Sequence, residues 1–198
     1  MFWILLISTF LFCFFDFHYF WRGILMYILA LVKRTIRPVD ALNGEVFTPG
    51  ICLTTDLDLV LHMNNARYLR ECDFARFDFW ITTGIYQAVR KLKGRMLAGA
   101  STIRYRKSID LFDTYNIITK LLCWDDKAFY VEQKFVRNRD SFVCAVVTLK
   151  QTWSGGISPQ NALDDHYGRP VSPLPTPEHV KHWIHYNNLS SEILRKSS

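Results

Sequence analysis

No cysteine pair in the chain has the spacing of a redox or metal-binding motif. The five cysteines are odd in number, widely separated and set among apolar residues. A disulfide framework normally has an even count, so we expect small buried cysteines in a reducing compartment. Histidine and cysteine clusters with metal-ligand spacing are also missing, so we expect neither a metal nor a cofactor.

Internal repeats and the arginine–aromatic pattern of nucleic-acid-binding segments are absent as well, so we expect no nucleic-acid partner. Apolar residues make up 49% of the 198 residues and charged residues 21%, which predicts a packed core and excludes disorder. The net charge of +6 is moderate. It fits a solvated basic face, or a patch for acidic lipid headgroups or a phosphate-bearing substrate.

The N-terminal segment has no charged side chain between Phe2 and Phe15. We predict a membrane anchor that spans from about Phe2 to Trp21, with Asp16 and His18 near one interface. A longer continuous span would place Asp16 near the middle of the bilayer, at a cost of about 2.5–3.5 kcal/mol. The next apolar run, Ile24–Val32, would lie along the membrane surface or complete a tilted span.

Basic residues follow this apolar segment at Lys33, Arg34 and Arg37. The positive-inside rule then places the folded part in the cytosol, and we expect attachment to the endoplasmic reticulum membrane. A cleaved signal peptide and secretion are the alternative, but the N-terminus lacks a basic start and a clear cleavage triplet. The one glycosylation sequon, at Asn188, matters only in that topology.

The middle of the chain alternates between strand-like and helix-like patterns. A first strand is expected over Val46–Thr55, broken at Pro49-Gly50, and a helix from Asn65 to about Thr83 that stops at Gly84. This helix is apolar on several sides, which indicates that a sheet clasps it. Four further strands are expected: Met96–Lys107, Tyr115–Trp124, Ala128–Arg137 and Phe142–Trp153. Short joins between them predict an antiparallel meander around the helix.

In the C-terminal part, a short helix is expected over Pro159–Tyr167, followed by a proline-rich linker. A final helix is expected after Thr176, which would cap it, with Pro177 at its first position. We therefore divide the chain into an anchor with its basic flank (residues 1–37), a sheet-and-helix domain (38–158), and a linker with a C-terminal helix (159–198).

A short polar stretch directly precedes the long helix. It contains Asp56, Asp58, His62, Asn64 and Asn65. The asparagines are suited to cap the helix, and a solvated loop is the plain alternative for the acids and the histidine. So many polar groups in front of an apolar helix favour a site over a connector.

The same stretch resembles the signature of the hotdog-fold acyl thioesterases, in the 4-hydroxybenzoyl-CoA thioesterase-like branch. That signature runs roughly D-x-D-x-x-G-H-V-N-N-x-x-Y, and the chain has D-x-D-x-x-L-H-M-N-N-x-x-Y from Asp56 to Tyr68. The resemblance extends over about Phe47–Thr152 and includes the tail around Trp183–Asn187. It implies an α+β hotdog fold, with an antiparallel sheet wrapped around a long central helix. It also implies a homodimer or higher homo-oligomer that binds an acyl-CoA-like thioester between subunits.

The resemblance further implies roles for two catalytic residues. Asp58 would act as general base or nucleophile on the thioester, and His62 would orient water or bind substrate. Backbone N–H groups at about Asn65–Arg67 would polarise the thioester carbonyl. Thioester hydrolysis requires such an activated nucleophile and such donors, and a helix N-terminus supplies free N–H groups.

Five residues are expected to contact the substrate. Asn64, Asn65 and Tyr68 belong to the signature stretch and the first turn of the helix. Arg104 and Arg106 lie on a predicted strand, where they would meet a nucleotide phosphate or remain ordinary solvated charges.

Three positions depart from the family pattern. Leu61 stands where the family has a glycine, and Val60 falls on the catalytic asparagine of the plant acyl-carrier-protein thioesterases. Their downstream acid falls near Ser108. Two functions therefore remain open: a membrane-anchored acyl-CoA hydrolase, and a non-catalytic hotdog protein that serves as an acyl-CoA sensor or a membrane scaffold.

Overall fold

The computed structural model describes residues 1–155 and 158–196, with the backbone alone for Phe12, Cys13 and Ser154. The helices are α1 (Phe2–Phe14), α2 (Phe17–Ile36), α3 (Asn65–Thr82), α4 (Ile85–Lys91), α5 (Pro159–Tyr167) and α6 (Glu178–Lys196). The strands are β1 (Val46–Ile51), β2 (Arg95–Tyr105), β3 (Thr114–Trp124), β4 (Ala128–Arg137) and β5 (Val143–Ser154). The expected long helix and the four later strands are confirmed to within two residues at each end.

The strands form one antiparallel sheet in the order β1-β3-β4-β5-β2. The expected meander is correct for β3, β4 and β5, whose joins are short. It is wrong for β2, which pairs with β5 at the far edge, for example Ile103 with Val147. Strand β2 therefore leaves its sequence neighbour β3 and crosses to the other side of the sheet.

The crossing segment, residues 106–113, is held by other loops. Cys52 N donates to Asp113 O at 3.0 Å, and Phe112 N donates to Cys52 O at 2.8 Å. These bonds satisfy backbone groups that a tight hairpin would have paired between β2 and β3. Periodicity in the sequence locates strands but does not choose their partners, which explains the error.

The first strand is shorter and more regular than expected. It ends at Ile51, and a single turn of 3₁₀ helix covers Thr54–Asp56. The predicted break at Pro49-Gly50 is wrong, because both residues pair with β3. An edge strand tolerates proline, whose missing N–H removes no ladder bond on the open side. A Cβ on Gly50 would lie 2.4 Å from the Tyr115 ring, so glycine allows this close approach.

Helix α3 lies against one face of the sheet and forms the centre of the core. The Trp80 ring packs 5.1 Å from Phe129, and Tyr68 packs 5.0 Å from Phe135. Gln133, fully buried on β4, donates to the Cys72 carbonyl at 3.0 Å. The helix stops at Gly84, whose φ of +86° is a left-handed conformation that glycine adopts without strain. The predicted central helix clasped by a sheet is confirmed.

The apolar segment expected to span a membrane from Phe2 to Trp21 is divided between two helices. Helix α1 ends at Phe14, and Asp16 caps the start of α2 by accepting a hydrogen bond from Tyr19 N at 3.0 Å. A carboxylate in this position satisfies a free N–H of the new helix and so favours the break. Within residues 1–155 and 158–196, no helix combines the length and apolar composition that crossing a membrane requires.

Helix α2 packs beside α3 next to the edge strand β1, where Lys33 Nζ also donates to Phe47 O at 3.2 Å. Arg22 pairs with Glu71 and Lys33 pairs with Asp78, whose carboxylate is 1% exposed and also accepts from Thr48 Oγ1 at 2.7 Å. Sequence analysis assigned Lys33 to the basic flank of the anchor, whereas its side chain pairs with the central helix. The predicted boundary at residue 37 thus lies directly after helix α2, and α2 packs on the sheet-and-helix domain that was expected to begin at residue 38.

The remaining helices cover the ends of the sheet. Helix α5 confirms the predicted range Pro159–Tyr167, and the short helix α4 packs beside it. Helix α6 begins one residue after Pro177, and its buried Val180 and its Trp183 pack on Tyr130 at the outer face of the sheet.

Candidate functional site

The signature stretch forms a tight turn directly ahead of α3. Asp58 N donates to His62 O at 2.9 Å, and the Asp58 carboxylate accepts from Val60 N at 3.0 Å and from His62 N at 3.4 Å. All three bonds fold the turn back on Asp58. The carboxylate is half-buried, and its second oxygen makes no hydrogen bond within the described part of the chain.

Leu61 occupies the glycine position of the family signature with a φ of +60°. A leucine in this left-handed region costs roughly 1–2 kcal/mol. The backbone of the turn therefore has the conformation that suits glycine, although the residue at this position is leucine. Its side chain is 70% exposed, and Leu59 and Val60 beside it are exposed as well.

The end of the turn is attached to the start of α3. Asn64 caps the helix, since its side-chain oxygen accepts from Ala66 N at 2.9 Å, while its own N–H donates to Asp56 O at 2.8 Å. Asp56 is 7% exposed and accepts from Leu53 N at 2.9 Å, which gives it a structural role. The expected capping role of Asn64 is confirmed.

Two of the three N–H groups expected to polarise a carbonyl already have partners. Ala66 N donates to the Asn64 side chain and Arg67 N donates to Asn64 O. No hydrogen bond involves Asn65 N–H among the residues that the structure describes. This N–H, at the positive end of the helix dipole, is the donor open to a substrate oxygen.

His62 lies beside a carboxylate that sequence analysis missed. Its Nε2 is 3.7 Å from Asp110 Oδ1, and the two residues form a β-bridge between the signature turn and the crossing segment. Burial alone would raise the pKa of Asp110, but hydrogen bonds from Arg139 and Ser108 hold it below its usual range. Asp110 is two residues beyond Ser108, near which the family's downstream acid was expected.

Arg139 pairs with a second carboxylate next to Asp110, that of Asp113. Its guanidinium lies 2.9 Å from Asp110 and 3.1 Å from the buried Asp113. Arg137, 1% exposed, pairs with Asp113 and Asp140. No sequence motif predicts these ion pairs, because the fold brings together two segments that are distant in sequence: the crossing segment 106–113 and the residues at the end of β4.

Tyr68 lies below the site in the core, where it is 2% exposed. Burial raises its pKa to about 12, so the phenol stays protonated at neutral pH. Its ring packs 5.2 Å from Tyr105, whose hydroxyl donates to the Asn65 carbonyl at 2.9 Å. Within one chain Tyr68 therefore supports Asn65 from below rather than facing solvent.

Arg104 is near the end of β2 and Arg106 is one residue beyond it, so the two alternate with Tyr105 along the chain. Arg106 donates to Val143 O at 3.2 Å and its guanidinium lies 4.9 Å from the Phe142 ring centre. Both arginines line an open cavity of about 320 Å³ on the outer face of the sheet. The structure thus groups Asp58, His62, Asn64 and Asn65, and leaves the two arginines apart from them in the single chain.

Comparison with known proteins places this arrangement in a family. Residues 52–184 match the family model described as the thioesterase-like superfamily. The chain belongs to the thioesterase-like superfamily. The hotdog resemblance carried by the signature stretch is thereby confirmed.

Relatives and solved structures agree with this assignment. The chain is 45% identical over 183 residues to "Protein THEM6" of Xenopus laevis, covering 92% of this chain and 86% of that protein. The probable thioesterase YbaW of Escherichia coli has a similar structure, with a TM-score of 0.54, 20% identity, and coverage of 64% of this chain and 98% of that one. The BH1999 gentisyl-coenzyme A thioesterase matches with a TM-score of 0.51 at 17% identity, covering 63% and 100%.

Proposed function

We propose that the protein binds an acyl-CoA-like thioester at the signature turn and hydrolyses it to a free acid and CoA. The observation that carries this proposal is the convergence of Asp58, His62 and Asp110 at the N-terminus of α3. The relative solved as a gentisyl-coenzyme A thioesterase acts on a CoA thioester with the same fold, which supports this substrate class.

The residues present account for each proton in such a hydrolysis. A water molecule attacks the thioester carbonyl carbon and gives its proton to the open oxygen of Asp58. Charge develops on the carbonyl oxygen, which Asn65 N–H stabilises. The carbon–sulfur bond then breaks, and Asp58 returns this proton to the departing thiolate, which leaves as the free thiol of CoA. His62, next to Asp110, lies on the same turn and is placed to orient the water.

The 198-residue chain, purified in detergent micelles, tests the proposal. Acyl-CoAs of several chain lengths are supplied and released CoA is measured. Asp58→Asn is expected to lower the rate by about 100-fold or more, since a general base contributes that much. Asp126→Asn, which changes an exposed acid in the β3–β4 turn, is the matched control and is expected to leave the rate unchanged.

A non-catalytic acyl-CoA sensor or scaffold is the second candidate, and Leu61 favours it. A leucine side chain at this position restricts the close approach of a ligand to the backbone that glycine allows. If the protein binds a non-hydrolysable thioether analogue but releases no CoA from thioesters, or if Asp58→Asn turns over as fast as wild type, this candidate replaces the enzyme.

We also propose a homodimer formed along β2, in which each subunit completes the other's site. Strand β2 is an edge of the sheet, so one side of its backbone is unpaired. Leu97 on this strand is 55% exposed, and Phe112, beside the signature turn, is 64% exposed. An unpaired edge next to exposed apolar side chains is suited to cover by a second copy.

Light scattering coupled to gel filtration tests the dimer. Leu97→Lys is expected to shift the full chain toward the monomer, whereas Leu189→Lys, at a similarly exposed leucine on α6, is expected to have no effect. A wild-type chain with the mass of one protomer after correction for detergent would contradict the proposal.

We further propose that α1 and the outer face of α2 attach the protein to a membrane, with the folded part in the cytosol at the endoplasmic reticulum. The large apolar side chains that the structure describes on α1 are exposed, and on α2 the exposed ones include Trp21, Ile28 and Ile36. Their combined apolar surface is suited to lipid contact. Resistance to alkaline extraction supports attachment. Glycosylation at Asn188 or a processed N-terminus in cells would instead indicate secretion.

A further inference from the structure

An open cavity of about 430 Å³ lies where α1 meets α2, beside the start of α3. We call it the corner cavity. Three arginines line it: Arg22 from α2, and Arg67 and Arg70 from α3. Asp16 and Asp56 are its acidic lining residues.

Two of the three arginines are fixed by partners. Arg22 forms two bonds with Glu71, at 2.7 and 2.6 Å. Arg70 lies 2.6 Å from Asp16 and over the Tyr19 ring, 5.0 Å from its centre. These contacts hold the two side chains in place, and they pair the carboxylates of Glu71 and Asp16.

Arg67 is different. Its nearest carboxylate oxygen, Asp56 Oδ1, is 3.9 Å from Nε, too far for a hydrogen bond. Its guanidinium makes no hydrogen bond among residues 1–155 and 158–196, and its side chain is 29% exposed. A guanidinium has five N–H donors in a planar fork that matches the oxygens of a phosphate. The fork of Arg67 is therefore open to an anion entering the cavity.

Three phenylalanines line the corner cavity on the side of the N-terminal helices, next to Asp16 and His18. They are Phe14, Phe15 and Phe17, which are 70%, 52% and 46% exposed. The cavity thus presents an open guanidinium on one wall and aromatic rings on the other. An anionic headgroup joined to an acyl chain matches both walls, whereas a free anion matches only the first.

We propose that the corner cavity binds the phosphate of an anionic phospholipid, with Arg67 as the main contact and the three phenylalanines against the acyl chain. The corner cavity shares Asp56 and Arg67 with the signature stretch, but Asp58, His62, Asn64 and Asn65 are not among its lining residues, and the proposal does not depend on thioester hydrolysis. The choice of a lipid rests on the proposed membrane attachment, because α1 would place the cavity at the depth of the headgroups. The same phosphate chemistry occurs in free phosphate and in the nucleotide half of CoA.

Calorimetric titration of the full chain in uncharged detergent micelles tests this site. Four probes are compared: dihexanoyl phosphatidic acid, dihexanoyl phosphatidylcholine, inorganic phosphate and adenosine 3′,5′-bisphosphate. Phosphatidic acid is expected to bind at least about tenfold more tightly than each of the others. Arg67→Gln is expected to weaken it by about tenfold or more, since a charged hydrogen bond is lost. Arg67→Lys keeps the charge but loses the planar fork of donors, so its affinity for phosphatidic acid is expected to lie between those of wild type and Arg67→Gln.

Arg90→Gln is the matched control, because Arg90 is an exposed arginine on α4 outside the cavity. The Arg90→Gln variant is expected to bind phosphatidic acid with the same affinity as wild type. Equal binding of the two lipids, or an Arg67→Gln variant that folds and binds like wild type, overturns the proposal. Tighter binding of inorganic phosphate or the bisphosphate assigns the cavity to a soluble anion and overturns the lipid. Membrane attachment is measured separately by extraction, so a failure there is distinguished from a failure of headgroup binding.

Discussion

The Arg22 guanidinium and the Glu71 carboxylate form a bidentate ion pair between α2 and α3, with N–O distances of 2.7 and 2.6 Å. The hydrogen bonds that Arg22 donates to Glu71 raise the pKa of Arg22, while burial acts in the opposite direction. The Glu71 side chain is 4% exposed and the Arg22 side chain 30%. The pair therefore has a buried acid on the central helix and a base supplied by the N-terminal segment.

Removing the base is expected to destabilise the fold. Arg22→Ala leaves Glu71 buried without its partner, which costs about 3–5 kcal/mol in a fully buried pair. Because Arg22 is partly exposed, we discount this to about 1–3 kcal/mol. Denaturant unfolding in micelles measures the loss. Lys181→Ala, which breaks an exposed pair with Glu178, is the control and is expected to cost less than about 1 kcal/mol. Equal losses in the two variants would contradict the prediction.

The left-handed backbone at Leu61 predicts a stabilising substitution. Leu61→Gly removes roughly 1–2 kcal/mol of backbone strain, and the greater freedom of glycine in the unfolded chain offsets about 0.5–1 kcal/mol of it. The thermal midpoint is therefore expected to rise slightly. Leu59→Gly is the control in the same turn, where φ is not positive, and it is expected to lower the midpoint. If the enzyme proposal holds, Leu61→Gly also raises the rate, because substrate approaches the backbone more closely.

The Arg137–Asp140 pair predicts a dependence of stability on pH. The hydrogen bond from Arg137 lowers the pKa of Asp140 to about 2. A carboxyl whose pKa is lower in the folded state stabilises that state above its ordinary pKa near 4, and this contribution is lost as pH falls toward 2. Asp140→Asn is thus expected to be less stable than wild type at pH 7, with the difference narrowing between about pH 4 and pH 2. Urea unfolding at several pH values measures the difference in the free energy of unfolding between wild type and Asp140→Asn. A difference that stays constant with pH would show that the Arg137–Asp140 pair is not the source of a pH dependence.

The buried thiols predict low reactivity. Cys52, Cys72, Cys123 and Cys144 are all buried and free, and burial, aided by neighbouring acids, raises the pKa of Cys52 to about 11. Since the thiolate is the reactive form, these four are expected to resist an aromatic disulfide reagent at pH 8 and to react only after unfolding. Cys13 lies outside the described side chains, so Cys13→Ser is the background for this titration. Fast reaction of any of the four in the folded protein would contradict the burial.

The sequence predicted local elements well and distant pairings poorly. The range of α3 and the bounds of β4 follow from apolar periodicity and from the turns beside them, which are properties of neighbouring residues. The place of β2 beside β5 depends on the loops that hold residues 106–113, and no local pattern records it. The same limit explains why the meander was expected.

The candidate site shows this limit for single residues. Asp58, His62 and Asn64 were found because they share one short stretch that matches a family signature. Asp110 was missed because a β-bridge between two loops brings it to His62. Lys33 was read as part of a membrane flank, since its partner Asp78 lies on a helix whose position beside α2 only the fold reveals.

The docking of α2 on α3 has a consequence for the order in which the molecule is built. Helix α2 leaves the ribosome before α3, so Arg22 and Lys33 are already in place when the carboxylates of Glu71 and Asp78 emerge. A polypeptide that starts at residue 38 would have to bury these acids with no countercharge. The N-terminal segment thus acts as a built-in folding partner for the central helix, and trimming it to obtain a soluble protein would remove part of the domain's own interior.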